Sequence, residues 1–157
     1  MIKLIAAIDK KRGIAKTGAT PWYIKADLKH FRDLTTGGTV LMGHDTYKTI
    51  GRPLPNRNNI VASRDPNLKI PGVQVINDMG KFLKQAKDLW VIGGEQIFKS
   101  AIKYASELYL TQIDADFDCD KFFPPYEKDF VLVKNGEWQE EEGLKFKYQA
   151  YKRRQTK

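Results

Sequence analysis

The sequence is poor in cysteine, histidine and long apolar runs. A lone Cys119 cannot close an internal disulfide, so nothing supports an oxidising compartment. Histidine occurs only at His30 and His44, without a Cys/His cluster, which argues against structural zinc and leaves no metal site expected. No stretch is long and apolar enough to span a membrane, and the N-terminal run LIAAI, shorter than a signal-peptide core, gives way to DKKRG. GxSxG, P-loop and HExxH patterns are missing. DADFDCD at 114–120 opens like a calcium loop, but its sixth position is Cys119 rather than glycine and its twelfth is Pro125 rather than glutamate, which rejects that reading. There are no repeats, low-complexity linkers or breaks in composition. The expectation is a soluble, cytoplasmic, single domain over 1–157.

What is present looks globular: 41% hydrophobic and 29% charged residues are enough to bury a core without the composition of a disordered chain. Lysine and arginine number 27 against 19 acidic residues, a net +8 that suits an anionic partner. The basic residues are dispersed and lack the aromatic-interleaved motif of an RNA-binding surface, so no nucleic-acid partner is expected; the tail KRRQTK reads as solvated surface.

Short apolar runs alternate with helical patterns. Strands are expected at 2–8, 39–43, 59–63, 73–76, 89–93 and 107–113, and helices at 24–35, 44–50, 78–88 and 95–105. Beyond 113 the chain changes to FVLVKNGEW and LKFKYQAY, two strands joined by a long connection, with NGE at 135–137 a turn or a bulge. The fold class is therefore α/β, with a central, mostly parallel sheet, flanking helices and an antiparallel C-terminal strand. Ligands bind such sheets beyond the carboxyl ends of the strands. Three of those ends carry suitable chemistry. VIGGEQIF passes through Gly93 and Gly94 into a helix, where a backbone can approach a phosphate closely. LMGHDTYKTI places Thr46 in the first turn of another, and VASR ends in Ser63 and Arg64, a hydroxyl and a guanidinium suited to a phosphate monoester. Each has a bland alternative as a turn or cap; together on one rim they suggest an extended, phosphate-bearing cofactor.

TPWYIKADLKHF at 20–31 contains a carboxylate out of place. In a helix beginning near Ile24, the apolar stripe runs through Ile24, Leu28, Phe31 and Leu34, and Asp27 falls inside it. A buried carboxylate is costly unless something pairs with it.

Taken together, LIAAI (4–8), PW (21–22), ADLKHF (26–31), VLMG (40–43), TIGRPLPNRNNIV (49–61), VIGG (91–94), LYLTQID (108–114) and FFPPY (122–126) make a chain that resembles the dihydrofolate reductases of the ordinary chromosomal type over nearly its whole length. The resemblance implies an eight-stranded sheet and NADPH-dependent reduction of 7,8-dihydrofolate to tetrahydrofolate, with hydride passing to pterin C6 and a proton to N5. A monomer with these two small molecules as its partners is expected. It assigns Asp27 to the pterin's N3 and 2-amino group, assisted by Thr111 and by an ordered water near Trp22. Ile5, Ala6 and Ile92 border the pterin, the carbonyls of Ile5 and Ile92 facing its 4-position. Leu28, Phe31, Ile50 and Leu54 grip the pterin and aminobenzoyl rings, and Arg57 holds the α-carboxylate of the glutamate, a bidentate task suited to arginine. On the cofactor side it implies Ala7, Ile14 and the loop before Trp22 around the nicotinamide. Gly43, Thr46, Gly93, Gly94, Glu95 and Gln96 receive the pyrophosphate, His44 lies near the adenosine phosphate and Phe98 near the cofactor, and Ser63 and Arg64 contact the 2′-phosphate. The Gly93-Gly94 peptide is implied to be cis.

Several positions depart from the family's usual pattern. Thr20 stands where Met or Leu is common, Cys119 where glycine is, Phe98 where many members have Tyr, and His44 and Asp45 where a basic pair is usual. Three other readings are weighed against this one: the related pyrimidine reductase of riboflavin synthesis, a basic nucleic-acid-binding module, and an inactive reductase. Trp22, Asp27 and RPLPNR oppose the first, and the second leaves Asp27 unexplained.

Overall fold

The computed structural model describes residues 1–155; Thr156 and Lys157, the end of the basic tail, lie outside the described residues. In chain order the elements are β1 (Ile2–Ile8), β2 (Gly13–Ala15), α1 (Lys25–Thr35), β3 (Thr39–Gly43), α2 (His44–Ile50), β4 (Asn58–Ala62), β5 (Gln74–Ile76) and α3 (Met79–Gln85). They continue with β6 (Leu89–Gly93), α4 (Glu95–Ala101), a single 3-10 turn (Ile102–Tyr104), β7 (Glu107–Ile113), β8 (Lys121–Phe122), β9 (Phe130–Asn135), β10 (Gln139–Glu141) and β11 (Leu144–Arg153). The main sheet runs β10-β11-β7-β1-β6-β3-β4-β5, eight positions wide, with β9 pairing the far half of β11. From β7 to β5 every pair is parallel, whereas β11 runs antiparallel to β7. The expected mostly parallel sheet with its antiparallel C-terminal strand is the one observed.

Period-two alternation sends neighbouring side chains of one strand into different cores. Leu4 and Ile8 of β1 join Leu41, Val91, Leu108 and Leu110 under α4, where Phe98 packs. Ile5 faces the opposite way with Val40, Met42 and Val61, against Phe31 and Leu34 of α1 and Ile50 of α2. Both faces of the sheet are thus covered, which is why β3 and β6 read as continuous apolar runs rather than alternating ones.

Two expected helices come out shorter. α3 stops at Gln85 because Ala86 is already extended, turning the chain toward β6. α4 gives way after Ala101 to the 3-10 turn. The NGE segment makes no hairpin of its own: Gly136 donates its N–H to Tyr148 O at 2.8 Å, so the chain continues beside β11, and the tight turn comes at Glu142 and Gly143. Strands β2, β8 and β10 went unanticipated. They are two or three residues long and too short to show a period.

Candidate active site

Beyond the carboxyl ends of β1, β6 and β7 lies a cavity of about 710 Å³. Strands supply its floor through Ile5, Ala6, Ala7, Ile92, Gly93 and Thr111, and α1 supplies one wall through Asp27, Leu28 and Phe31. Thr46, Thr49 and Ile50 come from α2, Phe98 from α4, and Ile14, Thr20 and Trp22 from the segment after β1. The lining is mostly apolar, with few polar groups to orient a ligand.

Asp27 is the only acidic residue in that lining. Its Oδ1 accepts a hydrogen bond from Thr111 Oγ1 at 2.6 Å, a short distance of the charge-assisted kind. Thr111 is buried, and it is fixed by the pairing of β7 with β1 and β11. Burial pushes the Asp27 carboxyl above its ordinary value, and the Thr111 hydrogen bond opposes that rise only partly. Next to it, the Tyr148 hydroxyl is pushed up to about 12, first by burial and then by the negative charges of Asp27 and Glu141. A carboxylate with unused acceptor capacity in an apolar hole is suited to a planar cation or a pair of N–H donors.

At the other end, the Gly93-Gly94 peptide is cis as implied, and Gly93 has φ 136, a conformation that side chains avoid. Gly94 precedes α4 and Gly43 precedes α2; neither helix has a side-chain cap at its start, so their first-turn N–H groups are free for an acceptor. A Cβ on Gly94 would lie 3.3 Å from Thr46 Oγ1, which leaves these two groups in one narrow passage.

Not every expected residue lines the cavity. Leu54 packs behind it, in one cluster with Phe31 and Ile50. Arg57 lies outside, its guanidinium donating to Pro55 O at 2.9 Å and Thr35 Oγ1 at 3.0 Å beside the Phe31 ring. Ser63 Oγ accepts from Asp65 N at 3.1 Å, Arg64 and Gln96 are exposed, and His44 is half-buried at the start of α2. Gly43 lies under Ile97 rather than on the cavity surface. Glu95 is turned away from it: its carboxylate accepts from Phe122 N at 2.7 Å, tying α4 to β8.

That bond belongs to a second construction that sequence patterning missed. The segment after β1 and the segment 114–122 face each other, joined by the β2–β8 pairing. Asp9, almost completely buried, accepts from Gly13 N at 2.7 Å, Lys11 N at 2.9 Å and Phe117 N at 3.1 Å. Asp120 accepts from Thr17 N at 2.9 Å. Outside these bonds sit three ion pairs, Lys10–Asp114, Lys11–Asp116 and Lys16–Asp118, at 3.3, 3.1 and 3.9 Å. Three of the four aspartates that mimicked a calcium loop, Asp114, Asp116 and Asp118, are lysine partners, and the described residues hold no metal-binding cluster.

Cys119 also finds its reason here. A Cβ on Gly13 would fall 2.5 Å from Cys119 Cβ and 2.6 Å from its Sγ. The thiol therefore fills the space that a side chain at residue 13 would need. Burial, and then its hydrogen bond to Asp9, push that thiol up to about 11. Asp9 has no local signal in the sequence, because an acid directly after an apolar strand reads as the start of a solvated loop. Asn59 is missed for a similar reason. It is buried within β4, where it accepts from Leu54 N at 2.8 Å and donates to Leu54 O at 2.9 Å and Arg57 O at 3.0 Å, shaping the loop that presents Arg57.

Comparison with known proteins points in one direction. The family model described as dihydrofolate reductase matches residues 1–153. A dihydrofolate reductase type 3 of Salmonella typhimurium is 41% identical over 129 residues, 80% of each chain. The dihydrofolate reductase of Bacillus subtilis is 35% identical over 153 residues, covering 95% of this chain and 91% of that one. Among solved structures, the dihydrofolate reductase from Enterococcus faecalis complexed with NADP(H) and RAB-propyl superposes with a TM-score of 0.89 at 32% identity, over 99% of this chain and 97% of that one.

Proposed function

This chain belongs to the dihydrofolate reductase family, and from that premise we propose how its residues divide the work of NADPH-dependent dihydrofolate reduction. The observation that carries the reading is a lone carboxylate, Asp27, held by Thr111 in an otherwise apolar cavity whose far end is bare glycine backbone.

Asp27 accepts hydrogen bonds from N3 and the 2-amino group of the pterin. Thr111 holds the carboxylate in register for that contact. Leu28, Phe31 and Ile50 enclose the rings, with Leu54 supporting Phe31 and Ile50 from behind. Arg57, already oriented by Thr35 and Pro55, takes the α-carboxylate at the mouth. The cofactor fits the opposite half. Ala7, Ile14 and Phe98 form an apolar slot for a nicotinamide ring, and the uncapped starts of α2 and α4, with Thr46, supply donors for a pyrophosphate. Exposed Arg64, next to Ser63, reads the 2′-phosphate, against the opposing charge of Asp45 on α2. NADPH, when bound, supplies a hydride, which the pterin accepts at C6 with a proton at N5.

The residues themselves align two rings, exclude water and favour a protonated pterin. Asp27 raises the proton affinity of the bound pterin, and water near Trp22 delivers the proton. Purified protein should oxidise NADPH rapidly only when dihydrofolate is added, as followed by loss of the reduced-nicotinamide absorbance. Oxidation independent of dihydrofolate, or none, would defeat the reading. Arg64→Ala should harm NADPH use and leave NADH use nearly unchanged; a parallel fall in both would remove Arg64 from the 2′-phosphate.

A further inference from the structure

Helix α1, which carries Asp27, begins without a cap of its own. Its N-cap position is Ile24, which has no side-chain acceptor. Four backbone donors at a helix start lack partners within an ideal helix. Leu28 N makes the first ordinary helical bond, to Ile24 O at 3.2 Å, and Asp27 N reaches the same oxygen at 3.1 Å, which leaves Lys25 N and Ala26 N between them and the cap. Both are taken by one carboxylate from the far end of the chain: Glu141 Oε2 accepts from Lys25 N at 2.6 Å, and Oε1 from Ala26 N at 3.1 Å. Glu141 closes β10, at the tip of the β10–β11 hairpin, 116 residues from Lys25. A second contact joins the same two elements, since the His30 ring of α1 stacks on Tyr148 of β11 with centroids 3.8 Å apart. Ile24, Ala26, Leu144, Phe146 and Tyr148 share one apolar cluster beneath.

We infer that Glu141 is a positioning residue for the substrate carboxylate: it caps α1 from a distant hairpin and sets the turn that holds Asp27. Without it, two N–H groups directly before Asp27 lack an acceptor. The first turn of α1 then relaxes and the Asp27–Thr111 pair loses its register with the pterin. The NADPH half is built from β6, α2 and α4, makes no use of this cap and is unaffected. This inference rests on Asp27 as the pterin contact.

The test uses the full chain. Glu141→Ala should raise KM for dihydrofolate by about tenfold, the scale of one charge-assisted hydrogen bond, with the NADPH Kd unchanged. Glu141→Gln keeps an acceptor without the charge and should recover part of that loss. Adding Lys25→Pro to Glu141→Ala should also recover it, because proline at the first helical position has no N–H to satisfy. Ile24, at φ −126 and ψ 107, is already in the extended conformation that a following proline requires. Glu140→Ala, altering an exposed neighbour, should change neither ligand. An unchanged KM in Glu141→Ala, equal weakening of both ligands, or no rescue by proline would overturn the inference. If the alanine variant does not fold, an unchanged KM in Glu141→Gln overturns it instead. Asp27→Asn separates the two readings: if it abolishes hydride transfer while Glu141→Ala has no effect, only the capping role fails.

Discussion

One wall of the cavity is held by regular structure and the other by side chains that grip loops. Asp27 and Thr111 stand on a helix and a central strand, with apolar clusters on the α1 face of the sheet packed around them. The opposite wall, residues 9–20 backed by 114–122, has the short β2–β8 pairing and a few single backbone bonds, such as Lys10 N to Ala115 O at 2.9 Å. Its shape comes from carboxylates accepting backbone N–H groups, and from ion pairs exposed to water. Buried packing resists salt and small rearrangements, whereas exposed pairs contribute little and are screened. The α1 wall is thus held by buried packing, and the loop wall by polar contacts, of which the Asp9 bonds are buried and the ion pairs exposed.

The largest test of this contrast is Asp27→Asn. Single-turnover hydride transfer at neutral pH should fall by on the order of a hundredfold or more, the scale of a lost proton-directing group. Acid should partly rescue it as more substrate arrives protonated. Stability should move the other way. The carboxyl of the free enzyme is raised by burial, so ionising it costs more in the folded than in the unfolded chain. Wild type therefore loses stability as pH climbs from the ordinary aspartate range of about 3.9 through the raised folded value. The Asn variant escapes that loss, so it should melt higher at neutral pH, with the difference vanishing in acid. Equal melting temperatures at both pH values would show that Asp27 is not strained by burial.

On the loop wall, Asp9→Ala removes the acceptor of three backbone donors at once. A loss of roughly 2–3 kcal/mol in urea melts is expected. NADPH affinity should fall more than dihydrofolate affinity; the reverse order would place Asp9 in the service of the other wall.

Gly13→Ala comes next. Its new methyl would collide with Cys119, destabilising the protein by about 1–2 kcal/mol. Cys119→Gly in the same chain should restore part of that loss, giving a coupling above about 0.5 kcal/mol in a double-mutant cycle. Additive effects would mean that the two positions do not share one space.

The smallest effect belongs to the ion pairs. Lys11→Ala should change the NADPH Kd by less than about twofold, as is usual for an exposed pair. Together the three pairs are visible through salt. Raising it from 0.1 to 1 M shortens the screening length from about 10 to about 3 Å. Amide exchange in residues 10–18 should then speed up while that of α1 stays constant.

The α1 wall was also the more legible one. The apolar stripe of α1, with Asp27 inside it, is written in consecutive residues, and so are the runs of β1, β3 and β6. The loop wall was nearly silent, because Asp9, Cys119 and Asp120 have ordinary local surroundings and acquire their roles only from partners far along the chain. The side chain of Glu95 is silent for the same reason: its carboxylate is claimed by Phe122 N, 27 residues on.

By itself the sequence determined which faces are buried, since side-chain direction follows the local period of the backbone and burial follows side-chain direction. It thereby determined the α/β sheet, and it marked Asp27 as a carboxylate in need of a partner. Tertiary structure alone decided who that carboxylate meets in the free protein, bringing Thr111 to it from 84 residues away. It also decided that Glu141 caps the helix and that Cys119 occupies the space above Gly13. Hydrogen bonds and steric matches of this kind depend on distances of a few tenths of an ångström between segments that only the folded sheet brings together, and no local period encodes them.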